Sequence, residues 1–294
     1  MEKKYRRPIN EILLPEMMDG EGDIVPIIAD GDDSDLENVE VPEVIPVLSL
    51  RNTVLFPGVV LPISIGRPRS IQLIKDAYRN DKIVGTVAQK DPDTENPGFE
   101  DLHPVGTIGQ IVKLLEMPDG STTAIIQGRK RMVLSDLVSS DPYFMAKVKP
   151  MPERKPEPTS KDFDAIVGSL KDLSLKIIKI NPNISPEASF AIKNIENNTY
   201  LINFICSNTD IKVQDKQKLL EINSIRDRGY ALLEYLVQEI QVLELKNELQ
   251  SKVKSDLDQQ QREFLLHQQM KTIQNELGGN PLEKEIEEYR KKAE

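Results

Sequence analysis

Hydrophobic and polar positions change their period twice along this chain. Between residues 44 and 149, short β-branched runs at 44–50, 59–65, 82–89, 105–116, 122–127, 132–138 and 143–149 are broken by turn residues, and each predicts a strand. Asp119-Gly120, between the fourth and fifth runs, supplies the tolerance of positive φ that a tight hairpin requires. One helix interrupts the series: Pro68 suits a first helical position, and Ile71, Ile74 and Tyr78 recur at helical spacing. Many short strands with one helix predict a closed or half-closed β-barrel, with residues 91–101 as an exposed loop.

Residues 150–160 carry Pro150, Pro152, Pro156 and Pro158, a density that favours an extended spacer and forbids helix or central strand. Beyond this linker the period becomes helical. Phe163, Ile166, Val167, Leu170, Leu173 and Ile177 form one apolar stripe that Asn181-Pro182 ends, Ser185-Pro186 starts the next helix, and 199–207 and 210–220 follow. From Tyr230 to Leu277 there is neither glycine nor proline, which as one helix would reach about 72 Å. Its stripe (Leu232, Leu236, Ile240, Leu243, Leu249, Val253, Leu257) lapses over 258–263 and resumes at Phe264, Leu266, Met270, Ile273 and Leu277 before Gly278-Gly279. The gap predicts one end packed on the helical region, a solvated middle where a break near 256–261 would fit, and a far end that needs a partner. The expected fold class is α+β: an N-terminal β-rich, barrel-like domain with one helix (44–149), the linker, a helical bundle (161–223), a very long helix (224–278) and a helical lead-out (279–294).

Charge divides the 294 residues more sharply than the net of −10 suggests. Residues 1–50 hold 13 acids and 4 bases, and 8–50 hold no Lys or Arg at all, so the rest of the chain is nearly neutral. Residues 1–43 therefore read as a disordered acidic tail. The Asp-rich run at 30–35 lacks a glycine and a bidentate acid at the offsets that a calcium loop requires and reads as part of that tail. No apolar run is long enough to span a membrane, and the basic start leads into acids without an apolar core, so neither a membrane protein nor a secretory leader is expected. The lone Cys206 excludes an internal disulfide, and two histidines are too few for a His/Cys metal cluster; a reducing, cytoplasmic setting fits.

Candidate chemistry is sparse. No Gly-Lys dipeptide occurs, so there is no P-loop, and no G-x-G-x-x-G opens a helix after a strand. His103 at a strand entrance and His267 among glutamines have no nominated Ser or Cys partner, and both read as surface or interface residues rather than catalysts. Cys206, inside Leu201-Ile-Asn-Phe-Ile-Cys, reads as a small buried hydrophobe. Arg129-Lys130-Arg131 reads as a solvated turn rather than a nucleic-acid site, because aromatics are not interleaved and the body is nearly neutral. No catalytic, cofactor-binding or metal-ligating residue is nominated, and the chain reads as a binding and assembly piece.

Two segments carry a family resemblance. Residues 45–67, which include Thr53-Val-Leu-Phe-Pro-Gly58, resemble the start of the Lon protease N-terminal domain; Gln261-Arg-Glu-Phe-Leu-Leu-His-Gln-Gln-Met-Lys-Thr-Ile-Gln-Asn-Glu-Leu-Gly resembles the segment with which Lon proteases lead into their ATPase module. Ser49 departs from the proline usual in the family, and His267 from a common asparagine. The resemblance covers about 44–294 and implies the first third of an ATP-dependent serine protease whose AAA+ module and Ser-Lys dyad are absent from this sequence. It implies capture of unfolded or tagged proteins, hexameric assembly, and ATP and Mg2+ used only by the full-length enzyme. Substrate would touch apolar surface, for which the candidates are Leu55 and Phe56, with core packing as the competing reading, and Met117 and Pro118 at a hairpin tip. Phe264, Leu266, Met270 and Ile273 are the assembly candidates. The alternative is a stand-alone adaptor with the same β domain and a coiled-coil arm.

Overall fold

The computed structural model describes residues 42–116, 122–157, 160–276 and 281–293. The acidic tail up to residue 41, the hairpin tip with Met117 and Pro118, and Gly278-Gly279 lie outside them. The fold is α+β. Its strands are β1 (Val44–Leu50), β2 (Val60–Ile65), β3 (Ile83–Ala88), β4 (Val105–Glu116), β5 (Thr122–Ser139) and β6 (Met145–Pro150), with α1 (Pro68–Arg79) between β2 and β3. Then come α2 (Lys161–Ile180), α3 (Glu187–Asn194), α4 (Asn198–Asn208), α5 (Val213–Glu221), α6 (Ile225–Glu276) and α7 (Pro281–Ala293).

The sheet order is β2-β5-β4-β3-β1-β6, and β6 also pairs with β5, so five strands close into a ring with β2 added alongside β5. β5 makes this possible. Its first half pairs with β2 and β4, and its second half with β4 and β6, and the register shifts in both β4–β5 and β5–β6 let one strand bend through both roles. The sequence predicts two strands here, with Arg129-Lys130-Arg131 as a solvated turn between them. The structure corrects this: the strand is continuous, and Arg131 is 1% exposed. Gly128 permits the continuity, since a Cβ there would lie 2.2 Å from the Phe56 carbonyl oxygen, and its N–H donates to Val59 O at 2.8 Å.

Two buried clusters flank the strands of this ring. Ile45, Val47, Val87, Ile108, Met132, Ala146 and Val148 form one cluster. Leu48, Leu50, Leu55, Ile63, Leu73, Ile74, Val84, Ile111 and Ile126 form the other, which the buried face of α1 covers. Adjacent Val47 and Leu48 thus belong to different clusters, which is why β1 does not alternate simply.

Helix boundaries follow local chemistry. The Ser160 hydroxyl accepts from Phe163 N–H at the start of α2, and Asn197 Oδ1 accepts from Tyr200 N–H at the start of α4. α3 begins after Pro186, with no side-chain cap from Ser185, and α5 begins at Val213, three residues later than its spacing predicts. α6 runs unbroken through 256–261, where the polar gap would have fitted a break. Leu232, Leu236 and Ile240 are buried, and this part of α6 belongs to the compact body that ends at Ile240. Residues 241–294 form a second unit. Among the described residues, no helix is long and apolar enough to cross a membrane.

Candidate functional site

The loop between β1 and β2 was the first substrate-contact candidate, and the structure places it in the core. Leu55 and Phe56 are 1% and 0% exposed, so as folded they offer no surface to a ligand. Thr107 Oγ1 donates to Leu55 O at 2.5 Å, and Asn203 Nδ2 on α4 donates to Pro57 O at 3.1 Å. Gly58 has φ +82°, and a Cβ there would fall 2.7 Å from the Tyr200 ring. This apolar loop is therefore the seat of the helical region on the barrel.

A buried ionic cluster completes that junction. Glu153, in the proline-rich segment, lies 3.2 Å from Arg131 Nε of β5 and 2.8 Å from Arg228 Nη1 of α6. Arg131 also donates to Leu220 O, Ile222 O and Pro152 O at 2.8, 3.1 and 3.0 Å. Arg228 donates to Asn203 Oδ1 at 2.6 Å and to Ile222 O at 2.9 Å. Burial first, and then the neighbouring Arg228 cation, push the Arg131 guanidinium down to about 10 despite Glu153. Backbone bonds add to this: Arg154 N–H donates to Asn223 O, and Ile225 N–H to Arg154 O. The first residues of the proline-rich segment are thus held against the helices rather than running free. No sequence signal announced this role for Arg131, Glu153 or Arg228.

One groove of about 500 Å3 opens between β1 and β2, and the residues that line it include Leu50, Ile63, Arg51 and Arg67. Arg67 is oriented by neutral acceptors: Ser49 Oγ at 3.0 Å, Gln89 Oε1 at 2.8 Å and Thr94 O at 3.3 Å. Partial burial and then the proximity of Arg51 lower its pKa, against the pull of Glu95.

Cys206 is fully buried, and burial pushes its thiol up to about 12, which keeps it a neutral hydrophobe. His103 lies 3.9 Å from Glu221, and its pKa is lowered, first by burial, while Glu221 opposes the shift. His267 is exposed on α6. Among the described residues, no group of three or more His, Cys, Asp or Glu could hold a metal ion. Phe264, Leu266, Met270 and Ile273 are all more than half exposed, at 67%, 56%, 51% and 55%.

Glu239, next to the end of the compact body, is a titrating element. Its Oε2 is buried without a hydrogen-bond partner, and burial first, then the Asp210 carboxylate, push it up to about 7 against the pull of Lys216. The folded protein therefore holds a proton that the unfolded chain releases at lower pH, so the stability associated with the protonated form is lost as pH rises through about 7. Glu239→Gln is expected to raise the thermal midpoint at pH 8, with the gain shrinking toward pH 5, as read by circular dichroism. An equal gain at both values would mean that the charge is not its source.

A model for the ATP-dependent protease La (LON) substrate-binding domain matches residues 44–238. A Lon protease of Flavobacterium johnsoniae is 49% identical over 285 residues, covering 97% of this chain and 35% of that protein. A Lon protease of Cytophaga hutchinsonii is 42% identical over 271 residues, covering 92% of this chain and 33% of that one. The chain thus spans about a third of the length of these relatives. In fold it is similar to the solved N-terminal domain of a Mycobacterium avium complex Lon protease, with TM-score 0.54 and 19% identity, over 66% of this chain and 98% of that structure.

Proposed function

This chain belongs to the LON substrate-binding domain family, and from that premise we propose that it captures unfolded or tagged proteins for an ATP-dependent serine protease of the cytoplasm. The observation that carries this reading is the extent of the match: residues 44–238 take in the barrel, the ionic junction and the helices down to the start of α6. A barrel fixed to its helices is a rigid platform on which a captured segment is held in one orientation. Beyond it, the exposed apolar positions Leu249, Val253, Leu257, Phe264, Leu266, Met270 and Ile273 of α6 support coiled-coil association with further copies, in a hexamer. By the family resemblance, ATP and Mg2+ enter through an ATPase module, and catalysis through the Ser-Lys dyad of a separate protease module.

The test is retention of a permanently unfolded protein. Immobilised residues 1–294 are expected to retain reduced, carboxymethylated α-lactalbumin in preference to the native protein, without hydrolysing ATP or cleaving casein. Equal retention of both forms, or ATP hydrolysis by a pure sample, would overturn the reading.

A further inference from the structure

The groove between β1 and β2 combines three features that a single kind of ligand would satisfy. The first is unpaired backbone on both walls. β2 is the edge of the sheet, bonded on one side to β5. A proline within an edge strand stands with its nitrogen on the open side, so Pro62 places the N–H of Ser64, two residues on, on that same side. Across the groove, β1 pairs with β6 only over Val44, Ile45 and Pro46. Leu50 O accepts from Gln89 N–H on the β3 side, while Val47 N–H donates to Phe144 O on the other. By strand alternation, the backbone of Ser49 faces away from β3, on the side of Val47. Both Ser49 and Ser64 line the groove.

The second feature is charge. Arg51 and Arg67 both line the groove and, among the described residues, no Asp or Glu does, in a chain whose net charge is −10. The three hydrogen bonds of Arg67 all go to neutral acceptors, so its guanidinium is fixed in place while its charge is left for another anion to meet. Glu95 acts on Arg67 but does not line the groove. The third feature is size: Leu50 and Ile63 line the groove but are core residues, at 3% and 8% exposure, so they bound it without offering an apolar face. The volume of about 500 Å3 falls within the range typical of ligand sites.

We propose that this groove docks an extended peptide segment, which adds to the free strand edges and sets an acidic side chain against Arg51 and Arg67. Strand addition reads main-chain hydrogen bonds and therefore suits unfolded segments of varied sequence, while the paired arginines select those with an acidic residue. The inference deepens the capture function proposed above and rests on it.

The probe is a fluorescein-labelled octapeptide of alternating valine and threonine with one central glutamate and an amidated C-terminus, titrated with the full chain by fluorescence anisotropy. It is expected to bind saturably, and its glutamine counterpart about tenfold more weakly, the size of a lost hydrogen bond to a charged group. Arg51→Gln, at an exposed position, and Arg67→Gln are expected to erase that preference, while Ser64→Pro weakens both peptides alike. Equal binding of the two peptides, or a preference that survives both arginine substitutions, overturns the proposal. Full recovery by a glutamine peptide with a free C-terminal carboxylate overturns the assignment to a side chain. If the octapeptide fails while unfolded α-lactalbumin is still retained, the groove alone is refuted; if both fail, the capture function falls with it.

Discussion

Replacing Glu153 with alanine is expected to destabilise the barrel and helical body by about 3–5 kcal/mol, the cost typical of removing one partner from a buried ion pair. Both arginine side chains are fully buried, at 0% exposure, and among the described residues Glu153 is the one anion paired with either. Its loss leaves two like charges facing each other in a medium that screens them poorly. Glu153→Gln keeps an acceptor but no charge, and is expected to fall between wild type and Glu153→Ala. Because the cluster is buried, added salt should not rescue either variant, whereas a surface pair would weaken in salt even in the wild type. Chemical denaturation followed by circular dichroism reads all three. A Glu153→Ala protein as stable as wild type would mean that the carbonyl bonds of Arg131 and Arg228 suffice to hold the junction.

Phe56→Ala is the second large effect, with an expected loss of about 3–5 kcal/mol, as for other buried aromatic truncations. Phe56 is 0% exposed, and its own carbonyl stands against Gly128, so collapse around the missing ring is restricted by backbone on that side. Its effect on substrate retention should follow the folded fraction: below the melting transition, the variant should retain unfolded protein as well as wild type does. A Phe56→Ala protein that keeps its stability and loses retention would return this loop to the binding role that its apolar sequence first suggested.

Much of the architecture was legible because its causes are local. Strand alternation, the Pro68 helix start, the Ser160 cap and the turn residues around them act over a few positions, and the elements that they predict are present to within a few residues. The family resemblance is legible for a related reason: it rests on contiguous segments. One element departs from its sequence pattern, and a second question that the pattern left open is settled. Gly128-Arg-Lys-Arg131 has turn-like composition, yet the strand continues because the glycine admits the Phe56 backbone and Arg131 finds acceptors on the helical side. The polar stretch at 258–263 lacks an apolar face, yet α6 passes through it, since nothing there breaks the backbone ladder of a helix.

The sequence by itself determined the α+β class, the order of the elements, the family and the lack of a P-loop. Only the tertiary structure decided which apolar and charged residues face inward. Arg131 meets Leu220 across 89 residues, and Asn203 meets Pro57 across 146. No periodicity reports such pairings, because period records which face of an element is apolar and not what that face meets. The burial of Leu55 and Phe56, the ionic junction around Glu153 and the groove beside Arg67 all arise from elements brought together by ring closure and helix docking, where hydrophobic burial and the need to satisfy buried charge act between distant parts of the chain.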